Sequence, residues 1–370
     1  MPLNWMSYYL EYISYGRLSA RMVQALRRQG CPTAPLMHDH MDCAEWMRAE
    51  LGASWEYLTI SAMEPRAVRS VPGRHWYLTM CEGNRVGENN MRRIKHTNVE
   101  RLIVPCEHNR LAFIASGWKG PIDVLALGTD PDEFTPRPQR ADRPYTFLAL
   151  ADRGDRKGWH EVFDAFYAAF GGKTHGEKDV RLRVKCLPKS SNLMTALLKL
   201  QDGDPRVFYD VSVFEDMADL YAEVDCVVMP SHVEGWGMPH REAAMMGLPV
   251  ITLAYSGLDD GHTDEWSIVV QGHPVVMPPP KKGDSSEWMV ADIDDLASAM
   301  RGCFENPEDA RRKGKQARQW LKANQTWDHT ARSLIELIRR EDGLQVGGHA
   351  GREHSPNGQA VYADRLRSGS

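Results

Sequence analysis

Several features that would place a chain quickly in a narrow class are missing from this sequence. Its 370 residues hold seven cysteines, Cys31, Cys43, Cys81, Cys106, Cys186, Cys226 and Cys303, with no C-x-x-C pair among them. Neither a zinc ribbon nor a disulfide framework is therefore encoded, and a reducing compartment is expected. No apolar run approaches the roughly 20 residues that cross a bilayer, and Met1 to Tyr15 lacks a basic stretch leading into a smooth apolar one. A soluble, cytoplasmic protein without a transmembrane segment is the expectation. An excess of positive charge is also missing: 45 Lys and Arg against 50 Asp and Glu leave a net charge of -5, so no global field holds nucleic acid and any anionic partner must meet a local patch. Internal repeats are absent. With 42% hydrophobic and 26% charged residues, the composition excludes a disordered or fibrous chain.

What is present is alternation. Apolar and amphipathic stretches follow one another at Trp5 to Tyr12, Arg17 to Gln29, Glu56 to Ser61, His75 to Met80, Arg101 to Val104 and Pro121 to Leu127, the pattern of a parallel sheet covered by helices. A stretch from Gly128 to Pro144 with four prolines reads as a linker. A second series has strands at Tyr145 to Leu150, Val180 to Cys186, Arg206 to Tyr209, Asp225 to Met229 and Pro249 to Leu253, with helical patterns at Lys157 to Phe170 and Phe214 to Glu223. Helices over Ile293 to Glu305, Pro307 to Ala323 and Trp327 to Arg340 close the series. The expected domains are 1–130, a linker at 131–144, a second α/β domain at 145–325, a closing helix at 326–341 that returns toward the first domain, and a disordered tail at 342–370.

Chemistry concentrates between Asp225 and Thr252: a buried strand, a turn containing Gly235 and Gly237, a helix opening near Pro239, and a second buried strand. A turn from the carboxyl end of a parallel strand into a helix presents free backbone N–H groups and a partial positive charge, which suits a phosphate. Glu234 enters that turn and Glu242 is expected in the helix's first turn. Carboxylates accept hydrogen bonds from hydroxyls, so paired sugar hydroxyls on either side of a diphosphate would satisfy both acids, whereas a bare phosphate would be repelled. His240 reads as exposed on the helix.

Two glutamates separated by seven residues, in the context Pro-Ser-x-x-Glu-Gly-x-Gly-x-Pro-x-x-Glu-Ala, resemble the signature of the retaining GT-B glycosyltransferases of family 4 and its relatives. Leu150-Ala-Asp-Arg-Gly-Asp-Arg-Lys-Gly158 resembles the donor-diphosphate loop of that family, with a shorter arginine-to-lysine spacing. Gly128-Thr-Asp130 with Phe134 resembles the end of the amino-terminal domain, and Asp292-Ile-Asp-Asp-Leu296 with Trp327 the closing helices. The resemblance implies two Rossmann-like domains with parallel sheets facing a cleft, an acceptor domain first and a nucleotide-sugar donor domain second. It implies that Glu234 binds hydroxyls of the transferred sugar and Glu242 the ribose. Backbone amides around Gly235, Trp236, Gly237 and Met238 would hold the diphosphate. Arg153 and Lys157, with Arg156 able to replace either, would neutralise the leaving diphosphate in place of a metal ion. The implied reaction is retaining hexosyl transfer from a nucleoside diphosphate sugar such as UDP-glucose, with no metal and no other cofactor.

In the first domain, Gly16 within Tyr15-Gly-Arg-Leu-Ser19 opens the first helix, where phosphate can approach the backbone. Glu82 follows the strand His75 to Met80, whose carboxyl end faces the cleft, and can touch the acceptor or the reacting sugar. Residues 61 to 120 hold ten Lys and Arg against five Glu, and Arg92 and Arg93 are the candidate contacts to an anionic acceptor. The acceptor stays open among lipid, glycan, protein and a modified DNA base, nucleic acid entering only as acceptor; the oligomeric state is open as well. His38-Asp-His-Met-Asp42 has metal-ligand types without a second cluster, and Gly171-Gly-Lys-Thr174 is half a P-loop whose first glycine would fall at Tyr167; neither is taken as a site. A sugar-nucleotide epimerase or phosphorylase of the same shape, and a non-catalytic nucleotide- or nucleic-acid-binding scaffold, are the alternatives.

Overall fold

The computed structural model describes residues 2–9, 14–37, 54–138, 142–151, 154–172, 176–186, 195, 197–199, 201, 203–214, 216–277 and 287–346. Leu3–Ser7 (β1) leads through Ser14–Arg28 (α1) to Thr33–Met37 (β2). Leu58–Ala62 (β3), His75–Leu78 (β4), Glu88–Lys95 (α2), Arg101–Val104 (β5), Glu107–Ala115 (α3) and Ile122–Val124 (β6) follow. These strands form a six-stranded sheet ordered β2-β1-β3-β4-β5-β6, parallel at every pairing. We call this sheet with its helices the first lobe.

The second lobe begins at Tyr145–Leu150 (β7) and continues through Trp159–Phe170 (α4), Val180–Lys185 (β8), Val207–Asp210 (β9), Met217–Ala222 (α5), Cys226–Val228 (β10), Met238–Met245 (α6), Val250–Leu253 (β11), Thr263–Trp266 (α7) and Ile268–Val270 (β12). Its sheet is ordered β12-β11-β10-β7-β8-β9, again all parallel. Gly272–Val276 (β13) and Glu287–Ala291 (β14) pair as an antiparallel hairpin. The helices Ile293–Glu305 (α8), Pro307–Asn324 (α9) and Trp327–Val346 (α10) complete the chain. The last helix runs to Val346, into the stretch expected as tail. Met1–Ser333 forms one compact unit and Leu334–Ser370 a second.

Both faces of the second sheet are covered, which explains its unbroken apolar strands. Phe147 faces a core with Phe163, Phe166, Leu182 and Met300, while its neighbour Leu148 faces another with Tyr221, Val227, Ala244 and Leu321, the two-residue alternation of a strand. Asp292 caps α8 by accepting from the Asp295 amide at 2.9 Å.

The proline-rich stretch expected as a linker is tied down among its described residues. Phe134 is buried in the second lobe's core, Arg318 donates to the Pro131 carbonyl at 3.1 Å, and Arg143 pairs with Asp225 at 2.5 Å. Thr129 and Thr326 form a parallel bridge, and Thr330 Oγ1 donates to the Ala126 carbonyl at 2.9 Å. The start of α10 thus lies against the end of the first lobe.

Candidate active site

In the second sheet the chain proceeds from β7 outward through β8 and β9, then crosses to β10 on the other side of β7. The crevice outside the carboxyl ends of β7 and β10 is the switch point where open α/β sheets receive ligands. The loop after β7 delivers Arg156 and Lys157, and the turn after β10 delivers Glu234 through Gly237. Two groups brace that turn from the loop after β11: the Glu234 amide donates to Ser256 Oγ and the Gly257 amide to the Glu234 carbonyl, both at 2.8 Å. Ser256 is buried with φ 55, a left-handed conformation that its surroundings must enforce.

Glycine is required here for two different reasons. Gly237 caps α6 with φ 79, where a side chain would be strained. At Gly235 a Cβ would come within 2.8 Å of the Met80 side chain, and a Cβ on Gly257 would strike the Gly235 backbone. The turn is thus pressed between the first lobe and the loop after β11. Among the described residues no protein acceptor takes the backbone N–H of Gly235, Trp236 or Gly237, so these donors remain available to an anion.

Glu234 is 5% exposed. One carboxylate oxygen pairs with Lys157 Nζ and the other lies 3.2 Å from Arg156 Nη1. Burial alone would raise its pKa, but Lys157 and then Arg156 hold it well below the usual carboxylate range. Arg156 also donates to the Val233 carbonyl at 3.1 Å and reaches Glu82 of the first lobe at 2.7 Å. Lys157, Arg156, Glu234 and Glu82 therefore form one charged cluster. Arg153 lies outside the described residues, as do His38 to Asp42 and Lys173-Thr174. Gly16 is buried in the first turn of α1.

Glu242 is also buried, but it stands in a different electrostatic state. Tyr221 donates to its Oε2 at 3.3 Å, and Arg17 Nη1 lies 3.6 Å from Oε1. Burial raises its pKa, and Arg17 opposes that rise. Two expectations fail here. The helix starts at Met238 because Gly237 ends the turn, so Glu242 sits past the first turn and gains little from the helix dipole. His240 is fully buried, not exposed: its Nε2 meets the Met229 carbonyl at 2.9 Å and burial lowers its pKa to about 4. The α6 face that carries it packs onto the sheet.

Residues 107–334 match the family described as Family 4 Glycosyltransferase in conflict systems. The chain belongs to this glycosyltransferase family. Among curated proteins, this glycosyltransferase is 28% identical over 281 residues to the D-inositol 3-phosphate glycosyltransferase of Corynebacterium kroppenstedtii, covering 68% of this chain and 55% of that protein. It is 28% identical over 122 residues to the glycogen synthase of Mycobacterium tuberculosis, covering 33% and 25%. The chain spans about half the length of the inositol phosphate relatives it matches. Among solved structures, sucrose-phosphate synthase from Thermosynechococcus elongatus superposes with a TM-score of 0.65 at 17% identity over 93% of this chain and 99% of that one. Anabaena HepE in complex with UDP-glucose gives 0.64 at 14% identity over 92% and 100%. At such identities the likeness speaks to the fold alone, and that fold is GT-B.

Several groups that build the candidate site were not read from the sequence. Asn109 is fully buried; it accepts from the Cys81 amide at 2.5 Å and donates to the Gly235 carbonyl across the cleft at 2.8 Å. Cys106 Sγ lies 3.8 Å from the same carbonyl. Arg241 is wholly buried between the rings of Trp236 and Trp266, 3.7 and 4.6 Å from their centroids, and pairs with Asp260 at 2.6 Å. The Trp236 side chain is thus spent on Arg241, and its backbone N–H is what remains for a ligand. Charged residues set among the apolar positions of the motif were the available signal. Arg92 and Arg93 are exposed in the last turn of α2, where Arg93 donates to the Arg66 carbonyl. No described helix is long and apolar enough to cross a membrane.

Proposed function

We propose that this glycosyltransferase transfers a hexose from a nucleoside diphosphate sugar to an acceptor hydroxyl with retention of configuration, without a metal ion. The observation that carries this reading is Glu234, held ionised between Lys157 and Arg156 beside three open backbone donors at the switch point of the second sheet. An ionised carboxylate with no proton to give is an acceptor for sugar hydroxyls. The N–H groups of Gly235, Trp236, Gly237 and Met238 receive the diphosphate. Lys157 and Arg156, with Arg153, take up the charge that grows on the leaving group, the work a metal ion does elsewhere. Glu242 receives the ribose diol.

Retention follows if the departing phosphate takes the acceptor's proton on the same face of the sugar, so no separate base is assigned. Glu82, on the first lobe and joined to Arg156, stands where acceptor and donor meet. Arg92 and Arg93 favour an anionic acceptor.

The test is thermal stabilisation by UDP, GDP, ADP and their sugars, with and without EDTA, on the wild type and Glu242→Ala. A ligand at about 100 times its dissociation constant adds roughly 2.7 kcal/mol. One base should stabilise the wild type equally with EDTA, and Glu242→Ala should lose about 1.5 to 3 kcal/mol of that binding per hydrogen bond. Stabilisation that vanishes with EDTA would overturn metal independence, and no stabilisation by any nucleotide would overturn the donor site. Glu234→Ala should harm turnover more than nucleotide affinity; equal harm would contradict its assignment to the sugar.

A further inference from the structure

The acid assigned to the ribose has its cationic partner in the other lobe. Arg17 stands in the first turn of α1, immediately after Gly16, and its Nη1 lies 3.6 Å from Glu242 Oε1, with the two side chains 18% and 8% exposed. The same guanidinium pairs with Glu133 and lies 5.0 Å from the centre of the Phe134 ring. Arg21 takes the second oxygen of Glu133 at 2.9 Å, so Glu133 is held by two arginines while Glu242 has the longer reach of one. Asp130 adds a further acid, 3.9 Å from Arg21. These groups line a small niche that Met238 and Trp327 also border.

Three acids thus share two arginines, and Glu242 is the most buried of the three. Its other neighbour, Tyr221 on α5, offers one hydroxyl. An ionised carboxylate can use both of its oxygens to accept the two hydrogens of a diol. Burial pushes Glu242 toward its neutral form and Glu133 pushes the same way, leaving Arg17 as the opposing charge.

We propose that Arg17 is a positioning residue for the donor: from the first lobe it keeps Glu242 of the second lobe ionised and aimed at the ribose diol of a nucleoside diphosphate. This rests on the assignment of Glu242 to the ribose. It makes the grip on the nucleotide depend on the apposition of the lobes. When they part, Glu242 loses the guanidinium that holds it in place.

The experiment is calorimetric titration of UDP, GDP and ADP into the full chain between about pH 5.5 and 8.5, on the wild type, Arg17→Met, Arg17→Lys, Glu133→Gln and Glu242→Gln. For the base that binds, the wild-type Kd should be flat in the upper part of that range. Arg17→Met should weaken binding roughly tenfold near pH 8, and further as pH falls and Glu242 protonates. Arg17→Lys should recover most of the affinity and the flat profile. Glu133→Gln leaves Arg17 in place and should extend the flat range to lower pH, which keeps the idea testable if Arg17→Met does not fold. Wild-type affinity in Arg17→Met, a uniform loss without a pH slope, or weaker binding in Glu133→Gln would each overturn the role of Arg17. Unchanged affinity in Glu242→Gln, or no nucleotide bound by the wild type, would instead remove the ribose assignment, and the role of Arg17 with it.

Discussion

The two lobes are built alike, each a parallel six-stranded sheet with a crossover point near its middle, yet they supply the site differently. The second lobe places Glu234, Gly235, Gly237 and Glu242 within one strand-turn-helix and adds Arg156 and Lys157 from the neighbouring strand's loop. The first lobe supplies single residues from separate elements: Arg17 from α1, Glu82 from the loop after β4, Asn109 from α3. A phosphate cradle demands contiguous backbone and so concentrates in sequence, whereas a surface that closes over it needs only side chains at the right height.

Each lobe holds an arginine over a tryptophan and against an aspartate: Arg241 with Trp236, Trp266 and Asp260, and Arg101, 5.0 Å from the Trp76 ring, with Asp123. Arg241 is fully enclosed, while the Asp123 side chain is 20% exposed. Arg241→Ala should therefore cost about 3 to 5 kcal/mol by leaving a buried carboxylate unpaired, and Arg101→Ala distinctly less, as read from urea midpoints. Equal costs would mean that enclosure does not set the difference.

Each lobe also holds a histidine whose pKa is strongly lowered by burial. His75, between Ser61 at 2.7 Å and Asn98 at 3.3 Å, and His240 both have pKa values lowered by burial to about 4. Between about pH 6.5 and 4 the unfolded chain binds protons that the folded one refuses, so stability falls as pH falls through that window, by on the order of 3 kcal/mol for each histidine. His240→Gln should flatten that acid slope and leave the contribution of His75. An unchanged slope would show that His240 is already protonated in the folded protein.

Asn109→Ala strips the Gly235 carbonyl and the Cys81 amide of a partner, which should cost about 1 to 3 kcal/mol. Because the bond joins the lobes, nucleotide affinity should fall along with the thermal midpoint; a midpoint loss with unchanged affinity would make Asn109 a tie of the first lobe alone. The smallest effect belongs to Arg92 and Arg93: neutralising both should move stability by less than about 0.5 kcal/mol, and any change should appear in the salt dependence of acceptor binding.

Legibility followed the same division. Strands β7 to β11 and helices α8 to α10 stand where apolar runs and period placed them, because both faces of that sheet are buried and the pattern is unbroken. In the first lobe, β2 went unread since it is an edge strand carrying Pro35, which an edge tolerates. Helix α3 went unread because its inward face includes His108 and Asn109 beside Ala112 and Phe113: it turns polar groups toward the opposite lobe, and apolar periodicity does not record that. The apolar run was placed at Trp5 to Tyr12, whereas β1 covers Leu3–Ser7 and Tyr9 turns left-handed with φ 50. At the site, the paired glutamates and the Arg156-Lys157 loop were visible as spacing. Arg17 and Asn109 were not, since their partners are far away in the chain, and His240 was misplaced because one helical position does not reveal which face is packed.

Cys106 carries a consequence of its own. Its sulfur is buried in the seam beside the Gly235 carbonyl, and burial raises its pKa, so it is a poor nucleophile while the lobes touch. An alkylating reagent reaches it at a rate set by how often they separate. Its alkylation would therefore report separation of the lobes, and a nucleotide that held them together would slow it.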